Sequence, residues 1–241
     1  MLNKRNTVLA AGLALLVIAG VAQAAPVNYG DYFGVGAGQV DFINVREASA
    51  TDPAPMNDPL YGAPIRDGNR LIFTPLTFAS FASGGAADTT SGTLSMIIRA
   101  DVGQFLNTIF IRETGDFSLL GVGTPATSAT INGLLTATEL APGSSPTLTS
   151  TLDVLPAAPY ALPADTDGEF VATTEIDLST LHITEIVLNF NNNLQTTSEN
   201  GTVSFIQKKT IVITVDPEIP EPATMSLLAL GGLFVIRRRR R

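Results

Sequence analysis

Apolar and polar residues alternate with a period of two in many short segments between residues 25 and 217. The clearest example is the segment 93–100, where Leu94, Met96 and Ile98 fall on one face. Because successive side chains of a β-strand point to opposite faces, this pattern indicates strands with one buried face. The same region has no helical stripe of apolar residues. We therefore expect an all-β chain, arranged as an antiparallel β-sandwich or jelly-roll-like domain.

Further strands are indicated by segments rich in β-branched and aromatic residues. Two of them, 181–191 and 201–215, flank a polar loop at 192–200 and are expected to form a long hairpin or two adjacent strands. The remaining expected strands lie at 39–47, 70–82, 107–113, 116–121, 126–138, 147–155 and 170–178.

Two proline-rich stretches, 48–69 and 141–167, interrupt this pattern. We expect both to be largely loops, the second around the strand at 147–155. The region between the two termini has about 200 residues, which is enough for one β-sandwich domain, and we place it at 25–215. Because the chain has no cysteine, its core has to hold this fold together without disulfides.

Acidic residues dominate the region between the termini. Residues 25–222 contain 7 Lys and Arg and all 22 Asp and Glu of the chain, a net charge of −15, whereas the whole chain carries −8. A negative charge of this size repels nucleic acid and anionic lipid headgroups. We therefore expect no nucleic-acid partner. The acidity favours solubility, and it would also attract divalent cations.

The first 24 residues have the three parts of a secretory signal peptide. The start is basic, residues 8–21 are apolar, and Ala22 and Ala24 form a small-x-small cleavage site. We expect signal peptidase to cut after Ala24, with an uncleaved membrane anchor as the alternative. The protein is therefore expected to be exported.

The C-terminal end also has three parts in a fixed order. The box Pro220-Glu221-Pro222 precedes an apolar segment at 225–236, and the chain ends with the arginines Arg237, Arg238, Arg239, Arg240 and Arg241. As a helix, the apolar segment is about 18 Å long at ~1.5 Å per residue. This is short for a bilayer core ~30 Å thick, although arginines that reach the headgroups reduce the mismatch. The positive-inside rule keeps these arginines cytoplasmic.

This order resembles the PEP-CTERM sorting signal of Gram-negative bacteria. The resemblance assigns a spacer with the Pro-Glu-Pro motif to 216–224, a short transmembrane helix to 225–236 and a basic tail to 237–241. It implies transient anchoring in the inner membrane, recognition by an exosortase-type membrane protease, and delivery to the cell surface or extracellular matrix. A permanent single-span anchor is the alternative interpretation of the same segment.

Asp165, Asp167 and Glu169 are the best candidates for metal ligands. Their sequence, Asp-Thr-Asp-Gly-Glu, resembles part of a calcium loop, because hard cations prefer several oxygen ligands from a tight turn. A full loop of the helix–loop–helix kind needs a third Asp or Asn position and a final Glu, and both are missing. The alternatives are a structural calcium site and an ordinary turn. No other cofactor is expected.

Glu175 and Asp177 are the best candidates for catalytic carboxylates. Jelly-roll β-glucanases carry Glu-x-Asp-x-x-Glu on one strand, so that alternate carboxylates face the substrate groove. Here Thr180 stands in place of the last glutamate, which would be the acid/base. The chain also has no tryptophan to line such a groove. We therefore interpret both carboxylates as part of the exposed face of a half-buried strand.

His182 is the only histidine of the chain. It has the same parity as Ile186 and Leu188, which predicts a half-buried position on a strand. The chain has no second histidine and no cysteine. It therefore lacks the partner residues that a zinc site or a histidine-based catalytic group needs. No catalytic residue is assigned.

Together these features predict an exported, exosortase-processed protein of the cell surface or extracellular matrix, structural or adhesive and not an enzyme. One alternative is a secreted jelly roll that binds or cleaves polysaccharide, with exopolysaccharide as its partner. Its sugar-stacking rings would be phenylalanines and the tyrosines Tyr29, Tyr32, Tyr61 and Tyr160. Another alternative is a coat protein that assembles with itself in the presence of calcium.

Overall fold

The computed structural model describes residues 26–51, 59–140 and 146–218. These residues form fourteen β-strands, and none of them belongs to a helix with the length and apolar character needed to cross a membrane. All strand pairs are antiparallel, so the predicted all-β fold is confirmed. The expected signal peptide with Ala22 and Ala24, the Pro220-Glu221-Pro222 motif, the segment 225–236 and the arginines at 237–241 lie outside the described residues.

The strands are numbered in chain order. They are β1 Val27–Tyr32, β2 Asp41–Ser49, β3 Ile65–Asp67, β4 Arg70–Phe73, β5 Ala79–Ser83, β6 Ala87–Arg99, β7 Phe105–Leu120, β8 Ser128–Glu139, β9 Thr147–Thr151, β10 Asp153–Leu155, β11 Tyr160–Ala161, β12 Asp167–Asp177, β13 Glu185–Thr197 and β14 Val203–Glu218.

Two seven-stranded sheets enclose one apolar core. Sheet A has the order β1-β2-β6-β13-β8-β11, with β9 also paired to β8. Sheet B has the order β10-β12-β7-β14-β4-β3, with β5 also paired to β14. The long strands β6 and β13 thus lie at the centre of one sheet, and β7 and β14 at the centre of the other.

Alternate residues of these long strands fill the core. Leu94, Met96 and Ile98 of β6 are buried, as their alternation predicts. Ile109 and Ile111 of β7 are buried from the opposite sheet. Burying such a side chain contributes roughly 1.5–3 kcal/mol, so the two inner faces stabilise the fold without disulfides.

A β-bulge in β14 changes which of its residues face the core. The register with β7 shifts between Lys208 and Thr210. Before the bulge the buried residues have even numbers, and after it they have odd numbers: Ser204, Ile206 and Lys208, then Ile211, Ile213 and Val215. An extra residue in one strand has this effect because side chains alternate with a period of two. The bulge therefore leaves Lys208 pointing inward.

The prediction of a loop at 192–200 with a hairpin around it is wrong. Strand β13 continues to Thr197, which places Asn192 in the middle of a strand. In addition, β13 belongs to sheet A and β14 to sheet B, so these consecutive strands are not paired. A turn connects the two sheets, and in it the N–H of Thr202 donates to the carbonyl oxygen of Glu199 at 3.1 Å.

The segment expected as one strand at 147–155 is divided at Leu152. Its first part, β9, pairs with β8 in sheet A, and its second part, β10, pairs with β12 in sheet B. The chain therefore crosses from one sheet to the other at this point. The surrounding stretch, expected to contain only this strand, also contains β11.

Four other segments differ from expectation. The segments 107–113 and 116–121 are parts of one strand, β7, whereas 70–82 is divided into β4 and β5. The expected loop at 48–69 contains β3. Strand β14 runs to Glu218, so the first three residues of the expected spacer 216–224 belong to the sandwich.

Candidate functional site

The outer face of sheet A carries an array of uncharged polar side chains at the centre of the sheet. Strands β6, β13 and β8 are neighbours there, and their outward residues lie directly opposite one another. The array has three rows, in which Leu134 is the one apolar member: Ser95, Asn189 and Thr136; Thr93, Asn191 and Leu134; and Ser91, Asn193 and Asn132. We refer to these nine residues as the polar face.

Part of the polar face lines a groove of about 560 Å³. Asn132, Asn191 and Asn193 contribute to it from the polar face, and Ser49 and Thr151 from the neighbouring strands β2 and β9. None of its lining residues, all of which belong to the described part of the chain, is charged. This is unusual in a region with a net charge of −15, and it makes the groove a suitable place for a neutral ligand.

The amides of the groove offer both donors and acceptors. Thr93 Oγ1 donates to Asn191 Oδ1 at 2.6 Å, which holds one of these amides in place. Asn193 Oδ1 is buried and has no hydrogen-bond partner among the described residues. Successive outward residues of β13 are about 7 Å apart at ~3.4 Å per residue. The polar face is thus suited to a long ligand that carries hydroxyl groups at intervals.

Two of the four tyrosines that were expected to stack on sugars lie in the core. Tyr61 and Tyr160 are 0% and 1% exposed. The ring of Tyr160 stacks on Phe117 with centroids 3.8 Å apart, and burial raises its pKa to about 12. Tyr29 donates its hydroxyl to Glu47 Oε2 at 2.7 Å. The groove lining contains no tyrosine, so stacking is not how this groove would hold a sugar.

Glu175 and Asp177 lie on the exposed face of β12, with Ile176 buried between them, as predicted. Hydrogen bonds from the side chain and the backbone N–H of Ser179 lower the pKa of Asp177. Thr180 follows in an exposed turn. The two carboxylates therefore face solvent and not a groove of the sandwich.

His182 does not lie on a strand. It is exposed in the turn before β13, with a φ of 51°. Its ring contacts Phe105 edge-on, with centroids 5.0 Å apart. The prediction of a half-buried strand position is wrong because β13 begins only at Glu185.

The structure does not assemble Asp165, Asp167 and Glu169 into a set of metal ligands. No group of three or more His, Cys, Asp or Glu residues within 26–51, 59–140 and 146–218 is arranged to hold a metal ion. Asp165 Oδ2 instead accepts a hydrogen bond from the N–H of Ala161 at 3.0 Å. Asp167 and Glu169 are exposed on β12. The calcium site stays a prediction that these contacts do not support.

Three polar side chains meet inside the core, between the two sheets. Glu113 of β7 and Lys208 of β14 come from sheet B, and Asn192 of β13 comes from sheet A. Lys208 Nζ donates to Glu113 Oε2 and, at 2.7 Å, to Asn192 Oδ1. Asn192 Nδ2 donates to Glu113 Oε1 at 2.5 Å. Each of the three side chains is thus hydrogen-bonded to the other two, and we refer to them as the buried cluster.

Aromatic side chains surround the buried cluster. Lys208 Nζ lies 5.3 Å from the centroid of the Phe78 ring, and Tyr61 is fully buried nearby with its hydroxyl donating to the carbonyl oxygen of Gly92 at 3.1 Å. Burial raises the pKa of Tyr61, and the charge of Glu113 raises it further. Burial lowers the pKa of Lys208, although the charge and hydrogen bond of Glu113 oppose this shift. The Lys208 amine therefore loses its proton more easily than an exposed lysine does.

The buried cluster was not predicted from the sequence. Glu113 has the same parity as Ile109 and Ile111, and this is the signal that could have revealed it, because a charged residue on an apolar face needs a partner. Lys208 has the parity of Ile206 in the same way. Asn192 gives no comparable signal, since it lies among three consecutive asparagines.

Comparison with known proteins identifies one sequence motif. Residues 218–241 match the model of the PEP-CTERM protein-sorting motif, which confirms the resemblance found at the C-terminal end. No curated protein sequence is significantly similar to the chain. Among solved structures, that of TmCBM61 in complex with beta-1,4-galactotriose is similar at 8% identity and a TM-score of 0.23, covering 73% of this chain and 87% of that one. Similarity at this level assigns neither a ligand nor an activity.

Proposed function

We propose that this protein, which carries a PEP-CTERM sorting motif, is a non-catalytic structural or adhesive component of the cell surface or extracellular matrix. The motif implies export, membrane-anchored sorting on the way to the cell surface, and processing by an exosortase, which is a membrane protease. The observation that carries the proposal is the position of the motif. It begins at Glu218, the last residue of β14, so cleavage within it would release a complete sandwich.

The interior of the sandwich supports a passive role. Its apolar residues from both sheets form one continuous core. The charged groups of the buried cluster are hydrogen-bonded to each other, and their side chains have no exposure to solvent. The exposed carboxylates Glu175 and Asp177 lack the third partner that a glucanase strand carries.

Sorting is tested by producing the full chain in a bacterial host that has an exosortase, and in the same host after the exosortase gene has been deleted. We expect a surface or released form that lacks Arg241 only when the exosortase is present. Substituting Glu221→Ala should keep the chain in the inner membrane with Arg241 retained. Glu218→Ala, three residues away and outside the Pro-Glu-Pro box, is the matched control. A wild-type chain that keeps Arg241 in the host with exosortase contradicts the proposal.

The non-catalytic part is tested separately. The purified chain is incubated with a panel of polysaccharides, and newly formed reducing ends are measured. We expect none above the level given by a Glu175→Gln and Asp177→Asn double variant. Reducing ends formed by the wild type and lost in the double variant would show a glycosidase and overturn this part.

Binding of a neutral polysaccharide is a second candidate function, and it would make the protein an adhesive. The observation that favours it is the uncharged groove on the polar face, with its alternating amides and hydroxyls. We expect the full chain to be retarded in native gels that contain such a polymer. Asn191→Ala should reduce the retardation, whereas Gln195→Ala, on the same strand but outside the groove, should not. Equal retardation of both variants and the wild type would exclude the groove as the binding site.

A further inference from the structure

We propose that Lys208 and Asn192 join their side chains in an intramolecular amide bond, with Glu113 as the catalytic acid and base. The cross-link would connect β14 of sheet B to β13 of sheet A through the core. This inference rests on the buried cluster alone and is independent of the exported role proposed above.

The geometry of the buried cluster places the reacting groups in contact. Lys208 Nζ lies 2.7 Å from Asn192 Oδ1, the oxygen bonded to Cγ, which is the carbon that the amine would attack. Reactions of this kind are accelerated when the reacting groups are held at about 3–3.5 Å. Both side chains come from the middle of long strands, so the surrounding sheets hold them in this position.

Glu113 is hydrogen-bonded to both nitrogen atoms that exchange protons in such a reaction. Its Oε2 accepts from Lys208 Nζ, which has to lose two protons, and its Oε1 accepts from Asn192 Nδ2, which has to gain two. A single carboxylate that bridges the attacking and leaving nitrogens is suited to act first as base and then as acid. A salt bridge between Lys208 and Glu113 needs only the first of these hydrogen bonds. The bond from Asn192 Nδ2 to Glu113 is the additional contact that the reaction needs.

The surroundings of the buried cluster favour attack by the amine. The side chains of Glu113 and Lys208 are fully excluded from solvent, and burial lowers the pKa of Lys208. A desolvated lysine is a stronger nucleophile because more of it is neutral. The absence of bulk water around the product also protects the new amide from hydrolysis.

The reaction balances without any further reagent. The Lys208 ammonium transfers a proton to Glu113, and the neutral amine attacks Cγ of Asn192. The Nζ–Cγ bond forms, the Cγ–Nδ2 bond breaks, and Glu113 relays protons from Nζ to Nδ2. A primary amide and an ammonium side chain become a secondary amide and a free ammonium ion. Glu113 ends as a carboxylate, and no atom changes its oxidation state.

The cross-link is tested by digesting the full chain, after denaturation, with a protease that cuts after glutamate. Cuts after Glu185, Glu199 and Glu218 give the peptides 186–199, with Asn192, and 200–218, with Lys208. We expect mass spectrometry to find these two peptides joined, with the mass of one ammonia missing from their sum. This result does not depend on how the ends of the chain are processed. Two separate peptides of full mass from folded wild-type protein would overturn the proposal.

Matched variants test which residues take part in the cross-link. Asn192→Ala should abolish the joined species, whereas Asn191→Ala, its outward-facing neighbour, should retain it. Glu113→Gln should leave the peptides separate because an amide cannot accept the Nζ proton. If that variant fails to fold, the wild-type digest and the two asparagine variants still decide. Succinimide formation at Asn200-Gly201 also releases one ammonia, but it leaves the two peptides separate. Ammonia loss found only in separate peptides would therefore count against the cross-link. A joined species that persists in Asn192→Ala would overturn the assignment to this residue.

Discussion

Lys208 Nζ donates a hydrogen bond to Glu113 Oε2 in the core of the sandwich, and neither side chain has any exposure to solvent. The two residues lie on adjacent strands of sheet B, where the bulge in β14 turns Lys208 inward. A charge buried in this way is tolerated only when its partner is present, because moving it out of water costs several kcal/mol. The same two strands also carry an exposed ion pair, Lys209 with Asp116 at 2.8 Å. The protein thus contains a buried and an exposed pair in nearly the same place.

Glu113→Ala is expected to lower the free energy of unfolding by about 3–5 kcal/mol, because it leaves the Lys208 ammonium buried without a counter-charge. Asp116→Ala, which breaks the exposed pair on the same strands, should lower it by only about 0–1 kcal/mol. Chemical denaturation of both variants measures the difference. Similar losses for the two would mean that Glu113 is not needed to compensate the charge of Lys208.

Gly115→Ala is expected to destabilise the protein by about 3 kcal/mol through overpacking. A Cβ at this position would overlap the carbonyl oxygen of Gln207 and the ring of Phe170. Gly36→Ala is the matched control, since the nearest atom to its new Cβ is Gln39 Nε2 at 3.9 Å. Thermal unfolding should show a lower midpoint for the first variant and no change for the second. An unchanged midpoint for Gly115→Ala would contradict the close packing of β7 against Phe170.

The raised pKa values of the tyrosines predict that the free energy of unfolding decreases at alkaline pH. Burial raises the pKa of all four, Tyr29, Tyr32, Tyr61 and Tyr160, and the pKa of Tyr160 to about 12. In the unfolded chain a tyrosine ionises near pH 10, so above that pH the folded state binds more protons than the unfolded state. Stability is therefore fully present below about pH 10 and falls as the pH rises towards 12.

This loss can be followed by the ultraviolet absorbance of phenolate during an alkaline titration. We expect phenolate to appear at higher pH in the folded protein than in the unfolded chain, and Tyr160→Phe should weaken the pH dependence of the unfolding free energy. At neutral pH the same variant should cost about 1 kcal/mol, since it removes the hydrogen bond from Tyr160 to the carbonyl oxygen of Pro156. Phenolate titrating near pH 10 in the folded protein would contradict the prediction.

Glu47→Gln is expected to loosen the segment that precedes β3. Glu47 is 1% exposed and accepts three hydrogen bonds, from the N–H of Leu60 at 2.6 Å, the N–H of Tyr61 at 2.9 Å and the hydroxyl of Tyr29 at 2.7 Å. An amide has only one accepting oxygen, so at least one donor loses its partner, at about 1.5–3 kcal/mol.

Hydrogen exchange at the amides of residues 60 and 61 measures this change directly, and both should exchange faster in Glu47→Gln. Glu185→Gln is the matched control, because Glu185 is paired with Arg99 at the surface, where a pair is worth about 0–1 kcal/mol. Unchanged exchange in Glu47→Gln would show that this segment is held by its apolar contacts alone.

The all-β fold and most strand positions could be predicted because alternation survives in strands with one exposed face. Leu94, Met96 and Ile98 are an example in which every expected residue is buried. Pairing could not be predicted as well. The turn after Thr197 looks like the end of a hairpin, yet the chain passes there from sheet A to sheet B. Such a crossing depends on contacts with other strands, and local sequence does not contain them.

The candidate sites were harder to predict than the fold. Apart from Leu134, the polar face consists of Ser, Thr and Asn residues that are ordinary on any exposed strand, and only the alignment of β6, β13 and β8 makes them an array. The buried cluster depends on the bulge next to Lys208 and on the way β13 of sheet A faces β7 and β14 of sheet B. Asn192, Glu113 and Lys208 are far apart in the chain or hidden in polar sequence, so neither spacing nor composition brings them together.

The direct connection of β14 to the sorting motif has a mechanical consequence. A pull that enters the domain at Glu218 and acts along the axis of β14 loads this strand directly. This strand pairs with β7 over its whole length, from Val203 to Glu218. Antiparallel hydrogen bonds are perpendicular to the strand, so the pull shears many of them together and does not open them one at a time. A domain loaded in this way resists a pull better than one loaded through a short edge strand such as β3.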